Sequence, residues 1–134
     1  MRTIKLDLPI LPEAEIEASK AAMAIAESMR MSPDRIDEVG MAVVEACINA
    51  LEHSHSSKVW VTFEVLGSQD PEKLRITVQD YGGGFSPEET EKPKPPGPPG
   101  GRGWGLKIIR GLMDEVEIHS VVGEGTTLVM SKMR

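Results

Sequence analysis

Apolar residues recur at two different spacings along the chain, and each spacing predicts one kind of secondary structure. Apolar side chains at every second position predict five strands, over residues 3–8, 58–66, 74–78, 116–118 and 127–130. Apolar side chains at every third or fourth position predict three helices, over residues 12–30, 36–53 and 106–114. Elements in this order predict an α+β two-layer sandwich, in which one sheet carries the helices on one face.

The second predicted helix carries an acid and an amide one turn apart. Ser32 precedes Pro33 where this helix begins, a pair that is typical of a capped first turn. Glu45 and Asn49 are four residues apart, so they share a face that is separate from the apolar stripe of the helix. Taken alone, such a pair is more typical of a solvent-facing surface than of a functional site.

Two glycine clusters follow, one directly after a predicted strand and one directly before a predicted helix. They consist of Gly82, Gly83 and Gly84 after Asp80, and of Gly101, Gly103 and Gly105 before Leu106. Such glycines let backbone N–H groups approach an anion, and a helix N-terminus adds a favourable dipole. The spacing matches neither a dinucleotide fingerprint nor a P-loop, and each cluster alone is equally consistent with an ordinary turn. The proline-rich residues 86–100 between them predict either a linker or a mobile loop over a site.

Composition limits the class of protein. At 134 residues, with 40% hydrophobic and 27% charged residues, the chain is predicted to form one globular domain over residues 1–134. Its net charge of −6 argues against binding to nucleic acid or to an anionic membrane surface. The single cysteine, Cys47, has no companion for a disulfide or a zinc site, which favours a reducing, cytoplasmic location. We find no apolar signal segment and no run near the roughly 18 apolar residues of a membrane span.

Four polar and glycine-rich motifs occur in a fixed order along the chain. They are Glu45-x-x-x-Asn49-Ala50-x-x-His53, Asp80-x-Gly82-x-Gly84-Phe85, Gly101-x-Gly103-x-Gly105-Leu106 and Gly123-x-Gly125-Thr126. In this order they resemble the N, G1, G2 and G3 boxes of the GHKL, or Bergerat-fold, ATP-binding superfamily. Residues 45–50, 102–106 and 112–116 are most similar to those of bacterial anti-sigma factor serine kinases. The resemblance spans nearly the whole chain and implies a mixed, mostly antiparallel sheet covered on one face by about three helices.

The resemblance implies a role for each motif residue. Glu45 would be the catalytic base that takes the proton from a protein serine hydroxyl, and Asn49 would bind Mg²⁺ through its side-chain oxygen. Asp80 would accept a hydrogen bond from the adenine amino group of ATP, with Thr126 assisting through water. The other implied cofactor-binding residues are His53, Gly82, Gly84, Arg102, Gly103, Trp104, Gly105 and Leu106. Residues 85–103 would form the lid over ATP.

The resemblance also implies a function and partners. The chain would be an anti-sigma factor with ATP-dependent serine kinase activity, which phosphorylates a STAS-domain anti-anti-sigma protein and sequesters a sigma factor in a partner-switching pathway. It would form a homodimer. Two alternatives stay open, namely a nucleotide-binding switch without kinase activity and a histidine-kinase catalytic domain detached from its phosphoacceptor helices. Residues 54–56 depart from the family, in which a small residue and an aromatic often follow the histidine, so the nucleotide contacts at this helix end also stay open.

Overall fold

The computed structural model describes residues 2–9, 14–53, 58–67, 72–80, 104–121 and 125–134, which form five strands and three helices. In chain order the elements are β1 (Arg2–Pro9), α1 (Ala14–Ser28), α2 (Pro33–His53), β2 (Lys58–Leu66), β3 (Lys73–Asp80), α3 (Trp104–Leu112), β4 (Glu115–Val121) and β5 (Gly125–Met133). Each strand and helix predicted from spacing is present, with boundaries shifted by a few residues. No helix within these ranges has the length and apolar character needed to cross a membrane.

The five strands form one sheet in the order β1-β2-β3-β5-β4. Each of the four neighbouring pairs is antiparallel, so the described sheet is antiparallel throughout rather than mixed. Strand β5 lies between β3 and β4 and runs antiparallel to both. The strands β3 and β4, which run in the same direction, are therefore not neighbours in the sheet. The predicted α+β sandwich is confirmed, and the inserted β5 brings Thr126 directly opposite Asp80.

The helices cover one face of the sheet, and α2 packs against both α1 and α3. Alternate residues of β3, from Leu74 to Asp80, are buried on the helix-covered face. Helix α1 lies very close to α2, because a Cβ atom at Gly40 would be only 2.6 Å from the sulfur of Met23. The Ser19 hydroxyl donates a hydrogen bond to the carbonyl of Gly40 at 2.9 Å. Helix α2 is therefore the central element of the helical layer.

A tight turn joins α1 to α2. Arg30 has a φ of 63°, the left-handed conformation that ends many helices, and the Met31 N–H donates to the carbonyl of Ala26 at 3.2 Å. The Ser32 hydroxyl then accepts a bond from the Arg35 N–H at 3.3 Å, which caps the start of α2 as the sequence predicts. The short turn makes the two packed helices antiparallel neighbours.

A buried lysine on β5 ties the end of α3 to the first half of α2. The Lys132 side chain is only 5% exposed, and its ammonium group donates to Glu38 Oε2 at 3.0 Å. It also donates to the carbonyl of Leu112, the last residue of α3, which has no partner within the helix. Nearby, the Asp114 carboxylate accepts a bond from the Met133 N–H at 2.7 Å. These bonds fix where α3 ends relative to α2.

We expect Lys132→Met to lower the free energy of unfolding by about 2 kcal/mol, because the Leu112 carbonyl and the Glu38 carboxylate lose their charged donor. Denaturant unfolding followed by circular dichroism measures the change. Lys20→Met, at an exposed position of α1, is the matched control and should change stability by less than about 0.5 kcal/mol. Equal stabilities of the two variants would contradict a structural role for Lys132.

Candidate functional site

Glu45 and Asn49 project from α2 toward two different spaces. Asn49 lines a small cavity between α2 and the sheet, together with Asp80 and Thr126. Glu45 lines a groove on the outer side of α2, between α1 and α3. Both side chains are half-buried. The two residues are therefore neighbours on one helix, but they line adjoining and distinct surfaces.

The cavity on the sheet side combines apolar walls with a buried carboxylate. Its apolar walls consist of Ala46, Ala50, Val78, Ile118 and Leu128. Asp80 is 3% exposed and Thr126 is 6% exposed, and the two residues face each other across the β3–β5 pair. The cavity has a volume of only about 10 Å³, room for about one water, so it would have to open before a flat ring could contact these walls and donate a hydrogen bond from an amino group to the carboxylate.

The hydroxyl groups of Ser120 and Thr126 form a pair beside Asp80 at the same end of the sheet. Ser120 is not part of any of the four sequence motifs. Ser120 Oγ is 3.0 Å from Thr126 Oγ1, because the two residues are directly opposite in the β4–β5 pair. Asp80, Thr126 and Ser120 thus form a row across three neighbouring strands. Only the strand register reveals Ser120, and counting back from the turn predicted around residues 123–125 could have found it.

Gly105, in the first turn of α3, lies against both polar residues of α2. A Cβ atom at this position would be 3.6 Å from Glu45 Oε2 and 4.0 Å from Asn49 Cβ. There is room for a methyl group, but a larger side chain would displace Glu45. The next residue, Leu106, is 1% exposed and anchors α3 in the core. The positive end of the α3 dipole therefore lies beside Glu45 and Asn49.

Burial raises the pKa of the Glu45 carboxyl above its usual value of 4.5, and the negative charge of Glu52 raises this pKa further. Burial removes water that would stabilise the carboxylate, and the second acid repels its charge. A carboxylate with a raised pKa is a better proton acceptor. Cys47 on the same helix differs, because burial, with a smaller effect of Glu15, raises the pKa of its thiol to about 12 and keeps it protonated and unreactive.

Several predicted site residues lie outside the part of the chain that the structure describes. These are Gly82, Gly84, Arg102 and Gly103, the lid over residues 85–103, and the side chains of His53 and Trp104. Their roles stay predictions. Within the described ranges, no three His, Cys, Asp or Glu side chains come together to hold a metal ion. The structure therefore brings together Asn49, Asp80 and Thr126 in one cavity, with Glu45 and Gly105 beside it.

The fold and these motifs are shared with a known class of domain. The family model of the histidine kinase-like ATPase domain matches residues 8–132. The structure is similar to the RsbU and RsbW domains of Rv1364c from Mycobacterium tuberculosis, with a TM-score of 0.70 and 18% identity, over 99% of this chain and 33% of that chain. It is also similar to the SiaB–SiaC complex from Pseudomonas aeruginosa, with a TM-score of 0.58 and 11% identity, over 98% of this chain and 89% of that chain.

Relatives with higher sequence identity show more narrowly which kind of protein within this class the chain is similar to. A serine-protein kinase RsbW of Bacillus licheniformis is 31% identical, over 96% of this chain and 84% of the relative. An anti-sigma F factor of Clostridium acetobutylicum is 32% identical, over 96% of this chain and 92% of the relative. The chain therefore belongs to the histidine kinase-like ATPase family, among its serine-protein kinases and anti-sigma factors. The resemblance given by the four motifs is confirmed.

We expect Glu52→Gln to lower the pKa of Glu45, because it removes a repulsion that favours the protonated carboxyl. The pKa should fall toward 4.5 but stay above this value, since burial, the larger cause, remains. A carbon NMR titration of the side-chain carboxyl groups measures the shift. Glu27→Gln, at an exposed position of α1, should leave the Glu45 pKa unchanged. The same Glu45 pKa in both variants would contradict the influence of Glu52.

Proposed function

We propose that this protein is an ATP-dependent protein serine kinase, like its relatives that carry that name. Glu45 is the observation that carries the proposal. It is a half-buried carboxyl with a raised pKa, one turn from Asn49 and beside the first turn of α3, where a Cβ atom at Gly105 would be 3.6 Å from its Oε2. A protein that only binds ATP has no need of a proton acceptor at this position. Raised carboxyl pKa values in clefts are typical of groups that transfer protons.

The cavity on the sheet side has the chemistry that ATP requires. Its apolar walls suit the faces of adenine, and Asp80 would accept a hydrogen bond from the amino group, with Thr126 binding the ring through water. The backbone N–H groups around Gly105 would bind the phosphates at the N-terminus of α3. The Asn49 oxygen would bind Mg²⁺, a hard cation that takes oxygen ligands and keeps several waters. Bound together, Mg-ATP supplies the phosphoryl group and the charge neutralisation that its transfer requires.

Glu45 would act one turn before Asn49, on the same side of α2, where the outer groove meets the first turn of α3. A serine hydroxyl that enters from the outer groove would meet the Glu45 carboxylate, which takes the hydroxyl proton as the serine oxygen is phosphorylated. The raised pKa supports this role, because it brings the acceptor closer to the pH at which the reaction proceeds. The groove for the protein substrate would thus meet the nucleotide site at Glu45 and Asn49, where the hydroxyl and the transferred phosphoryl group have to come together.

The partners in this proposal come from the family resemblance and from the names of the relatives. One relative is named a serine-protein kinase and another an anti-sigma F factor. We propose that this chain combines both roles, so that it phosphorylates a serine of a STAS-domain anti-anti-sigma protein and otherwise sequesters a sigma factor. It would act as a homodimer. A detached histidine-kinase domain is less well supported, since relatives that match over 96% of the chain are named as serine kinases.

We expect Glu45→Gln to abolish phosphorylation of the STAS-domain protein while ATP affinity stays unchanged, because glutamine keeps the shape of the side chain but cannot accept the proton. Incubation with labelled ATP and the STAS-domain proteins of the same organism measures transfer, and calorimetry measures affinity. Glu27→Gln, on the exposed face of α1, should transfer at the wild-type rate. Transfer by Glu45→Gln at that rate would exclude Glu45 as the base. If the wild type labels no partner, the non-kinase switch is favoured.

We also expect Glu45→Gln to stabilise the fold at neutral pH. The raised pKa means that the folded protein binds the Glu45 proton more tightly than the unfolded chain does. Stability is therefore lost as pH rises from the usual value of 4.5 through the raised pKa. Glutamine has no charge, so the Glu45→Gln variant does not lose this stability as pH rises. Thermal unfolding should show a higher Tm for the variant at about pH 7 and no difference at about pH 3, below both pKa values. A lower Tm at neutral pH would contradict the raised pKa.

A further inference from the structure

A groove runs along the outer surface of the helical layer and reaches Glu45. Its volume is about 580 Å³, and its floor is the side of α2 that points away from the sheet. Met41 and Val44 of α2 line this floor. Met23 of α1 lines one side, and Ile108 of α3 lines the other. The groove is thus built by all three helices, and it ends at the carboxyl group that we propose as the base.

Apolar and acidic side chains line the groove. Met41, which lines the groove, is 56% exposed. Large apolar side chains that remain exposed beside an apolar groove mark a surface for a protein partner. Among the residues that the structure describes, the charged ones that line the groove are Asp37 and Glu45, which are both acidic. The groove therefore suits a segment with apolar side chains and a positive charge.

The spacing of the two acids sets the length of that segment. Asp37 and Glu45 are eight residues apart on α2, which corresponds to about 12 Å along the helix axis. An extended chain advances about 3.3 Å per residue. A segment whose serine hydroxyl reaches Glu45 would therefore bring a residue about four positions away beside Asp37.

We propose that the groove binds the acceptor segment of the protein substrate in extended form. The serine lies at Glu45, apolar side chains contact Met41 and Val44, and a lysine or arginine about four residues from the serine pairs with Asp37. The proposal rests on the kinase function and adds to it the sequence that the kinase recognises. The acceptor segment is the favoured occupant because the groove leads to Glu45, the proposed base. A second copy of the chain, which carries a net charge of −6, would bring a surface of the same sign to the acidic groove.

Two variants of exposed groove residues test this proposal, namely Asp37→Lys and Met41→Glu. Steady-state phosphorylation of the STAS-domain protein is measured over a range of its concentration. We expect each variant to raise KM for the protein substrate about tenfold, equivalent to about 1.4 kcal/mol. The KM for ATP and kcat should stay at wild-type values. Glu27→Lys, a matched charge reversal at an exposed position of α1 outside the groove, should change none of these constants.

Reversing the charge of Asp37 and of the basic substrate residue together tests whether these two residues pair directly. Replacing the basic substrate residue with glutamate should raise KM for the wild-type kinase and restore it for Asp37→Lys. Unchanged KM values for both groove variants would overturn the groove proposal, while wild-type transfer would leave the kinase function intact. A wild type that phosphorylates no STAS-domain protein would overturn both proposals. The other possible occupant is a second copy of the chain, and light scattering tests for it. If Met41→Glu converts a dimer to a monomer, the groove is assigned to a second copy instead.

Discussion

The site depends on the close approach of α2 and α3 at Gly105. A Cβ atom at this position would be 3.6 Å from Glu45 Oε2 and 4.0 Å from Asn49 Cβ, so the first turn of α3 lies close to both side chains and leaves room for no more than a methyl group. A larger residue would push the helices apart or turn the carboxyl away. The far end of α3 is also fixed, because Lys132 bonds both its last carbonyl and Glu38 of α2. With both ends held, the N-terminal dipole of α3 has a defined position relative to the polar residues of α2.

Helix α2 separates two surfaces that a transfer reaction has to bring together. Asn49 lines the cavity on the sheet side and Glu45 lines the outer groove, although the two residues are one turn apart on the same side of α2. The surrounding packing maintains this separation, since the small residues Ala42 and Ala46 are fully buried in the layer. A bulkier helix would move away from its neighbours, and both spaces would change shape. The separation of the sheet-side cavity from the outer groove is thus a consequence of how α2 packs.

Much of this arrangement could be predicted from sequence, because it depends on periodicity and local spacing. The strands, the helices and the shared turn of Glu45 and Asn49 follow from patterns within a few residues. Features that depend on contacts between distant segments could not be predicted in the same way. The groove depends on side chains from three helices, and the bond from Lys132 to Glu38 joins residues 94 positions apart. The antiparallel sheet depends on the insertion of β5 between β3 and β4, which strand spacing does not encode.

Glu45 differs from the other acids of α2 in its surroundings. Acids that belong to a solvated helix face remain exposed, as Asp37 and Glu52 do. Glu45 is instead drawn into contact with α3, where burial raises its pKa and makes its ionised form a cost to the fold. Burial of Cys47 carries no such cost, because a thiol is neutral at the same pH. A residue with only a packing role would be better as glutamine or alanine, so the carboxyl group at this position is best explained by the role of proton acceptor that we propose for it.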